Sequence, residues 1–401
     1  MSKALVIGGS LGGLFAANLF ARAGWDVEVF ERVGAELAER GAGIVTHGEL
    51  FRALGHIGIA VDGTIGIEAQ TRTVLDRAGN LTAELQFPQI LTAWGRIYRL
   101  LKDAFPAAQY HFNKSFVRAE QRAGGVTAFF GDGTQAAGDL LIGADGIRSA
   151  VRAQFVPQAK PAYAGYVAWR GMIEETVLSA DAQRRLFGSM AFCMPPGEMM
   201  LGYLVAGLHN TTAPGERRYN FVWYRPVDEA TDLPALLTDA QGQRHDMNIP
   251  PDRVRAEAIA DMRAAAARML APQFVEVVRK TQQPFFQPIY DLESPRVAVG
   301  RIALIGDAAF VARPHLGLGV TKAAADAVAL ADAVASHPRD LDAALKEFDT
   351  ARVAYGRKVV AEARRLGSGI GPAIVRGRDP ELVARYRTPE VIIREVAPPI
   401  A

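Results

Sequence analysis

The sequence predicts an α/β fold in which a β-rich module is inserted into a doubly wound domain. Residues 4–30 combine an apolar strand, a glycine-rich turn, a helix and a second strand, which is how a parallel sheet begins. Two more apolar strands, near 139–145 and 301–307, each run into an Asp. Between them lie segments rich in aromatic and β-branched residues, which favour strands. With 401 residues, the chain is long enough for two packed domains.

The individual elements follow from local patterns. The predicted strands are 4–7, 26–30, two within 126–143, 166–173, 199–207, 219–227 and 301–309, and the predicted helices are 14–24, 98–106, 251–281 and one from about 320. The tail after residue 370 is polar and contains proline, so we expect an arm that packs on the body or on a neighbour. A homodimer is therefore compatible with the sequence.

Composition excludes several functions. Lys and Arg total 45 against 43 Asp and Glu, without a dense basic run, which argues against a nucleic-acid partner. Cys193 is the sole cysteine, so a disulfide framework is excluded and a small apolar core residue is expected. The seven histidines show no metal-ligand spacing, so we expect no metal.

The sequence shows no signal peptide and no membrane span. The chain starts a strand almost at once, without a basic segment followed by an apolar one. The Ala-rich stretch 323–335 is the nearest candidate for a span, and Asp326 and Asp332 interrupt it. We therefore expect a cytoplasmic protein without a membrane partner.

The turn VIGGSLGGL (6–14) carries a modified dinucleotide fingerprint. Gly8, Ser10 and Gly13 occupy its three positions. The first shapes the turn, the second lets the backbone approach a diphosphate, and the third lets helix and strand pack closely. Serine is small, and its hydroxyl can donate to a phosphate or cap the helix.

Glu31 stands 18 positions after Gly13, about where a carboxylate accepts the hydroxyls of an adenosine ribose. The alternative is a glycine-rich turn that begins any α/β domain, with Glu31 at a solvated strand end. The turn by itself does not choose between NAD and FAD.

Two later segments repeat the pattern of a strand that delivers a carboxylate. DLLIGADGIRSAVR (139–152) ends its strand at Asp145, and arginines follow that can meet phosphate. RIALIGDAAFVARPHLGLG (301–319) delivers Asp307 and then a glycine-rich loop whose amides suit an anionic or electron-rich ring edge. The alternatives are a turn with a local ion pair and an ordinary loop with a glycine cap.

Together, in this order and spacing, the three segments resemble the FAD-dependent aromatic hydroxylases, the single-component flavoprotein monooxygenases typified by p-hydroxybenzoate hydroxylase. The resemblance covers about residues 1–355. It implies a Rossmann-like FAD-binding domain with an inserted, β-sheet-rich substrate domain. The implied divisions are an FAD-binding domain (1–70, 97–160 and 286–370), a substrate domain (71–96 and 161–285) and a C-terminal arm (371–401).

The resemblance also implies cofactor contacts at positions that match the family's motifs. Glu31 would hold the adenosine ribose, Asp307 the ribityl chain, and the amides of 317–320 would face the flavin ring. The loop GAGI (41–44) would lie beside the flavin. The full set of expected FAD contacts is Gly8, Ser10, Leu11, Gly12, Gly13, Glu31, Arg32, Gly43, Asp145, Arg148, Gly306, Asp307, Pro314, Gly317, Gly319 and Val320.

Some positions depart from the family's usual pattern. Phe310 stands where a His is usual, Thr321-Lys322 where Asn is common, and Trp94 where Arg or Gln opens a helix, with Arg96 and Arg99 as candidate substitutes. GGS in the first turn, YAGYVAWRG (163–171) and RPH before Lys322 are similar to the family's dihydroxypyridine-hydroxylase branch. That similarity implies an electron-rich, hydroxypyridine-like substrate.

The implied activity is hydroxylation of such a ring by O₂ through a flavin C4a-hydroperoxide, with NADH or NADPH as a transient reductant, since the chain has no second glycine fingerprint. His315, inside the flavin loop, is the candidate for substrate contact or proton relay, and bracing of the loop is the alternative. His47, Tyr203, Trp169 and Tyr224 are candidates to line the substrate pocket, although most such aromatic residues are core.

Other functions of a flavoprotein stay open. An oxidase, a dehydrogenase or a non-catalytic flavin-binding sensor would carry the same cofactor motifs. A halogenase usually needs a W-x-W-x-I-P segment, and the four tryptophans are too far apart to form one.

Overall fold

The computed structural model describes residues 1–37, 43–122, 124–371 and 379–397. Its strands, numbered along the chain, are β1 (Lys3–Ile7), β2 (Asp26–Phe30), β3 (Gly43–Val45), β4 (Ile67–Leu75), β5 (Leu81–Ala93), β6 (Tyr110–His111), β7 (Phe116–Arg122), β8 (Gly125–Phe130), β9 (Gln135–Gly138), β10 (Leu140–Gly143), β11 (Ala162–Glu174), β12 (Ser189–Cys193), β13 (Met199–Val205), β14 (Arg218–Pro226), β15 (Phe285–Glu293), β16 (Ala298–Val299), β17 (Ile302–Leu304) and β18 (Phe310–Val311).

The α-helices of the described residues are numbered in the same way. They are α1 (Leu11–Arg22), α2 (Gly48–Ile57), α3 (Trp94–Asp103), α4 (Ala150–Phe155), α5 (Ala180–Leu186), α6 (Asp232–Leu236), α7 (Ala256–Met269), α8 (Pro272–Lys280), α9 (Gly319–Ser336), α10 (Leu341–Leu366), α11 (Pro380–Arg385) and α12 (Pro389–Glu395). None of them is long and apolar enough to cross a membrane.

A six-stranded sheet positions the three glycine- and aspartate-bearing segments. Its order is β16-β17-β10-β1-β2-β6, and β2, β1, β10 and β17 run parallel. Ile7 pairs with Phe30 and Gly143, and Gly143 pairs with Leu304. The carboxyl ends of these strands therefore share one edge, where ligands bind in doubly wound sheets.

A nine-stranded sheet forms the second layer, in the order β18-β15-β11-β14-β13-β12-β4-β5-β3. Most neighbours are antiparallel, and β12 pairs parallel with β4. Strands β3 and β18 belong to this sheet although they lie in ranges predicted for the FAD-binding domain. The division into domains stays a prediction. A separate three-stranded sheet joins β7, β8 and β9.

The nine-stranded sheet packs on both faces, and its pleat decides which residues reach the site. Along β11, Val167 and Trp169 belong to the core that includes residues of α7 and α8. Tyr166 and Ala168 point the other way, into a core shared with Leu316 and the C-terminal helices. Successive side chains of a strand alternate between faces, so a shift of one residue exchanges the two roles.

Several predicted elements differ from the observed ones. The helix predicted over 251–281 is two helices, because Leu270 is extended and Pro272 opens α8. Within 301–309, where the sequence predicts a strand that runs into a small-residue turn, the strand is the three-residue β17 and the turn is a short 3₁₀ helix. Of the C-terminal arm, residues 379–397 pack on the body through α11 and α12, and the rest lies mostly outside the described residues.

Candidate functional site

A cleft of about 640 Å³ opens at the shared edge of the six-stranded sheet. It is bordered by all three motifs. The expected contact residues on its lining are Gly8, Ser10, Leu11, Gly12, Glu31, Arg32, Asp145, Arg148, Gly306, Asp307, Gly319 and Val320. The structure therefore brings most of the predicted cofactor residues together, and Gly13 lies just behind them.

The first turn is shaped by close backbone approaches. Gly8 has a φ of +103°, and a Cβ there would lie 2.5 Å from the carbonyl oxygen of Ala144. A Cβ at Gly13 would overlap the carbonyl oxygen of Gly8. Ser10 precedes α1 without capping it, so the hydroxyl and the first amides of the helix remain for a ligand.

Glu31 holds this turn from the end of β2. Its Oε2 accepts from the amide of Gly9 at 2.8 Å, and its Oε1 accepts from the amide of Val33 at 2.9 Å. The side chain is buried yet lines the cleft. Each carboxylate oxygen can accept a second hydrogen bond, so the same group can also meet ribose hydroxyls.

Asp145 caps the short helix α4. Its carboxylate accepts from the Ser149 hydroxyl at 2.5 Å and from the amides of Ala150 and Val151 at 2.7 and 3.2 Å. Burial raises the pKa of Asp145 above its usual range, against these hydrogen bonds. The carboxylate thus shapes the wall of the cleft as well as lining it.

Arg152 connects the second motif to the third. Its guanidinium, in a buried side chain, donates to the carbonyl oxygens of Ala159, Ile147 and Ala308, the last at 3.1 Å. Because its donors are used on backbone carbonyls, Arg152 is a brace between motifs rather than a phosphate contact.

A buried ion network holds the Asp307 loop from behind. Asp326 accepts from the amide of Gly306 and from the Lys322 ammonium, each at 2.9 Å, and pairs with Arg352. Lys322 also donates to the Gly306 carbonyl at 2.8 Å. Both cations keep the pKa of Asp326 below its usual range, whereas burial raises that of Asp307. Lys322 therefore supports the loop's backbone.

A second cleft, of about 450 Å³, continues from the first between the two large sheets. The clefts share Arg32, Asp145, Gly146, Arg148 and Asp307, so they form one elongated space. Additional lining comes from the flavin-loop candidate Pro314, from Arg170, from Met247 and Asn248 between α6 and α7, and from the β15 residues Gln287, Pro288, Ile289 and Tyr290.

His315 is fully enclosed behind this cleft. Its Nε2 shares a 2.7 Å hydrogen bond with the hydroxyl of Tyr166, and its ring centroid lies 4.7 Å from that of Tyr224. Burial, with the charge of Arg313, lowers the pKa of His315 to about 3. The imidazole is therefore neutral in the pH range where an ordinary histidine titrates.

The pocket candidates fall on two faces of the nine-stranded sheet. Tyr203 and Tyr224 lie on the face of His315, and a Cβ on Gly43 would approach the Tyr203 ring within 2.6 Å. His47 is buried beside α9, with Nδ1 3.1 Å from the Thr321 hydroxyl. Trp169 is not brought to the site, because it lies on the opposite face.

The C-terminal segment closes this region. Arg72, buried in β4, donates to the carbonyl oxygens of Ile393, Val396 and Ala397 at 3.1, 2.5 and 2.6 Å. The amide of Ala397 donates in turn to the carbonyl oxygen of His315 at 2.7 Å. The segment therefore touches the glycine loop that carries His315.

Comparisons with known proteins agree with this geometry. A family model described as FAD binding domain-like matches residues 163–291. The 2,6-dihydroxypyridine 3-monooxygenase of Paenarthrobacter nicotinovorans is 31% identical over 368 residues, 90% of each chain. The solved 2,6-dihydroxypyridine-3-hydroxylase from Arthrobacter nicotinovorans superposes with a TM-score of 0.87 at 29% identity, over 94% of this chain and 95% of that one.

The chain belongs to the FAD-dependent aromatic hydroxylases. It has their fold, that of the p-hydroxybenzoate hydroxylase-like monooxygenases, and it is an FAD-dependent enzyme that uses O₂ and NAD(P)H on an aromatic ring. A further solved relative, Klebsiella pneumoniae HpxO complexed with FAD and uric acid, has a TM-score of 0.76 at 26% identity, over 98% of this chain and 92% of that one.

The residues present fit the FAD of these aromatic hydroxylases. Helices α1 and α9 both begin at the elongated cleft without a side-chain cap, so two sets of free amides face it. A Cβ on Gly319 would meet no heavy atom within 4 Å, which leaves the start of α9 open to a flat group. The cleft is thus suited to a diphosphate at one end and a ring at the other.

The sequence interpretation missed several contributors to the site. Arg170 and Tyr166 flank the selected Trp169 in YAGYVAWRG, and an arginine in an otherwise apolar strand was the available signal. Arg72 and the Asp326–Arg352 pair gave no local signal, because the carbonyl partners of Arg72 are more than 300 positions away and Arg352 lies 26 positions from Asp326.

Proposed function

We propose that this aromatic hydroxylase acts on an electron-rich, hydroxypyridine-like ring. The observation that carries the proposal is the buried Tyr166–His315 hydrogen bond, a polar pair in a mostly apolar core, next to Pro314, which lines the second cleft. The 31% identity to a dihydroxypyridine monooxygenase supports the same substrate class.

We propose roles in FAD binding for the cleft residues. The Ser10 hydroxyl and the amides of Leu11 and Gly12 would hold the diphosphate, Glu31 the adenosine ribose, and Asp307 the ribityl chain. The exposed Arg32 and Arg148 would meet phosphate oxygens at the mouth. The amides that follow Gly317, those of Gly319 and Val320, would face the ring, with Gly43 and Pro314 beside it.

When bound and reduced by NAD(P)H, FAD activates O₂ and delivers one oxygen atom to the substrate ring. The chain's own residues position the substrate and exclude water. Tyr224 and Tyr203, on the His315 face of the sheet, would pack toward the ring, and the Tyr166–His315 pair would offer a hydrogen bond to a ring nitrogen or oxygen. His47 holds α9 against the loop that follows β3.

The test is an NADH-oxidation screen of hydroxylated pyridines and benzoates, with product mass recording the oxygen added. The proposal expects a hydroxypyridine to stimulate NADH oxidation and to gain one oxygen atom. Stimulation without a hydroxylated product would favour the oxidase alternative, and a flavoprotein that no ring compound stimulates would favour the sensor.

A further inference from the structure

Gly9, inside the first turn, has both of its backbone polar groups bound by side chains. Its amide donates to Glu31 at 2.8 Å, and its carbonyl oxygen accepts from the hydroxyl of Tyr110 at 3.0 Å. A Cβ on the buried Gly9 would collide with the Tyr110 hydroxyl, so a glycine is what lets the two groups meet. Among the described residues, the lining of the 640 Å³ cleft includes Gly8 and Ser10 but neither Gly9 nor Tyr110. The Gly9 carbonyl is therefore held toward β6 and not toward the cleft.

The Tyr110 side chain is itself held in place. Tyr110 stands at the start of β6 and is 5% exposed, and the Lys102 ammonium lies 4.4 Å from the centroid of its ring. Burial, the neighbouring Tyr98 and two nearby carboxylates raise the pKa of Tyr110. The hydroxyl therefore keeps its proton in the neutral pH range and donates it to the Gly9 carbonyl.

Stacked aromatic rings connect Tyr110 back to the cleft. Tyr98, fully buried in α3, lies beside Tyr110, and its hydroxyl donates to Glu36 at 3.0 Å. The Tyr98 ring stacks on that of Trp94, with the centroids 5.1 Å apart and the planes inclined by 12°. Trp94 lines the cleft that the first turn also lines. A shift of the Tyr110 ring would therefore have to displace packed side chains.

The direction of the Gly9 carbonyl matters for an anion in the cleft. Amide groups carry partial positive charge and carbonyl oxygens partial negative charge, so a turn binds phosphate when its amides face the phosphate and its carbonyls do not. Helix α1 starts directly after the turn without a side-chain cap, which leaves its first amides for a ligand. A Gly9 carbonyl rotated toward the same point would oppose them. A glycine rotates readily, so this orientation needs a partner that fixes it.

We propose that Tyr110 is a positioning residue for FAD: it holds the Gly9 carbonyl away from the cleft, so that the turn presents amides to the diphosphate. This role rests on the proposed function, in which the diphosphate lies at Ser10, Leu11 and Gly12. Tyr110 lies behind the turn and acts through it. Removal of its hydroxyl should therefore weaken the binding of ligands that carry phosphate and spare ligands that do not.

The experiment measures ligand binding to the full-length holoenzyme without NADH. The holoenzyme is diluted, free FAD is separated by ultrafiltration, and its absorbance gives the dissociation constant. ADP and adenosine, which differ only in the diphosphate, are then added as competitors, and the FAD that each displaces gives its own dissociation constant. The variant is Y110F, which removes one hydroxyl. Y163F is the matched control, because the Tyr163 hydroxyl donates to the Val227 carbonyl at 3.1 Å in the nine-stranded sheet.

We expect Y110F to weaken the binding of FAD and ADP by about 10-fold and that of adenosine by less than about threefold, because one hydrogen bond fixes the carbonyl. Y163F should match wild type for all three ligands. If Y110F is purified without FAD, ADP should raise its melting temperature less than that of FAD-free wild type, and adenosine should raise both equally. If Y110F does not fold, Y98F should show the same selectivity with a smaller loss, because it removes the hydroxyl beside that of Tyr110.

Equal weakening of ADP and adenosine in Y110F overturns the inference, as does unchanged ADP binding. S10D tests the placement of the diphosphate separately, because its carboxylate stands beside the amides of Leu11 and Gly12 and should weaken ADP by at least about 10-fold. Unchanged ADP binding in S10D contradicts the proposed placement, whereas a loss in S10D with none in Y110F contradicts only the role of Tyr110. Neither result depends on which ring is hydroxylated, which the turnover screen decides.

Discussion

The two halves of the elongated cleft are built in different ways. The half proposed for the cofactor is made of backbone turns that follow strand ends, such as those at Gly8, Asp145 and Asp307, with each turn contained in one short segment. The half proposed for the substrate is lined by side chains from β11, β15, the loop before α7 and the His315 loop. The core next to the His315 loop adds β13, β14 and the C-terminal segment. Backbone sites are contiguous in sequence, whereas side-chain sites depend on sheet register and on distant partners.

The largest effect is expected at Asp326, because its side-chain network supports the backbone turn at Gly306 and Asp307. Asp326→Asn would leave Lys322 and Arg352 buried without their carboxylate. We expect a loss of about 3–5 kcal/mol in the free energy of unfolding, measured by urea denaturation. Asp332→Asn, exposed on the same helix, is the control and should change little. Equal stability of both variants would contradict the role of the network.

The backbone character of the cofactor half is tested at Gly13. Gly13→Ala places a Cβ against the carbonyl oxygen of Gly8. We therefore expect the free energy of unfolding to fall by about 1–3 kcal/mol and the purified protein to contain little bound FAD. The measurement is flavin absorbance per mole of protein. Gly55→Ala in α2, where a Cβ meets no heavy atom within 4 Å, is the matched control. Full FAD content in Gly13→Ala would disprove the packing argument.

The dependence of the substrate half on distant side chains is tested at Arg72. Arg72→Met removes the donors to the carbonyl oxygens of Ile393, Val396 and Ala397. Because these buried groups are left unsatisfied, we expect the free energy of unfolding to fall by about 1–3 kcal/mol. We expect FAD content to be kept, while product formed per NADH consumed falls. Arg77→Met, exposed in the following turn, is the control. If Arg72→Met keeps its FAD and forms as much product per NADH consumed as wild type, the C-terminal segment has no role in the site.

The smallest expected effect concerns the pH dependence of His315. The unfolded chain binds a proton on this side chain below about pH 6.5, whereas the folded pKa is about 3, so stability falls as pH falls through this window. When the pH is lowered from about 7 to about 5.5, the free energy of unfolding of wild type should fall by about 1 kcal/mol more than that of His315→Gln. His56→Gln, at an exposed histidine, should behave like wild type. Parallel curves for wild type and His315→Gln would contradict a neutral buried imidazole.

The sequence placed the three turn segments at one sheet edge but did not show which side chains of the nine-stranded sheet face the cleft, for one physical reason. Asp307 and its glycine loop could be placed because strand, turn and helix start are consecutive. The sequence also predicted β11 but not which way its side chains face. It selected Trp169, whereas the next residue, Arg170, lines the cleft, because side chains alternate with a period of two. The clamp at Arg72 required a pairing across more than 300 positions, for which the chain carries no local pattern.

The strand order of the six-stranded sheet has a consequence for folding kinetics. The central neighbours β1, β10 and β17 come from residues 3–7, 140–143 and 302–304. Such distant pairings raise the contact order. Long loops must close, at a cost in chain entropy, before the stabilising contacts between these strands can form. During synthesis, β1 and β10 can pair early, but β10 keeps an open edge until residue 304 has emerged from the ribosome. Until then, we expect that edge to be the part of the nascent chain most prone to aggregate.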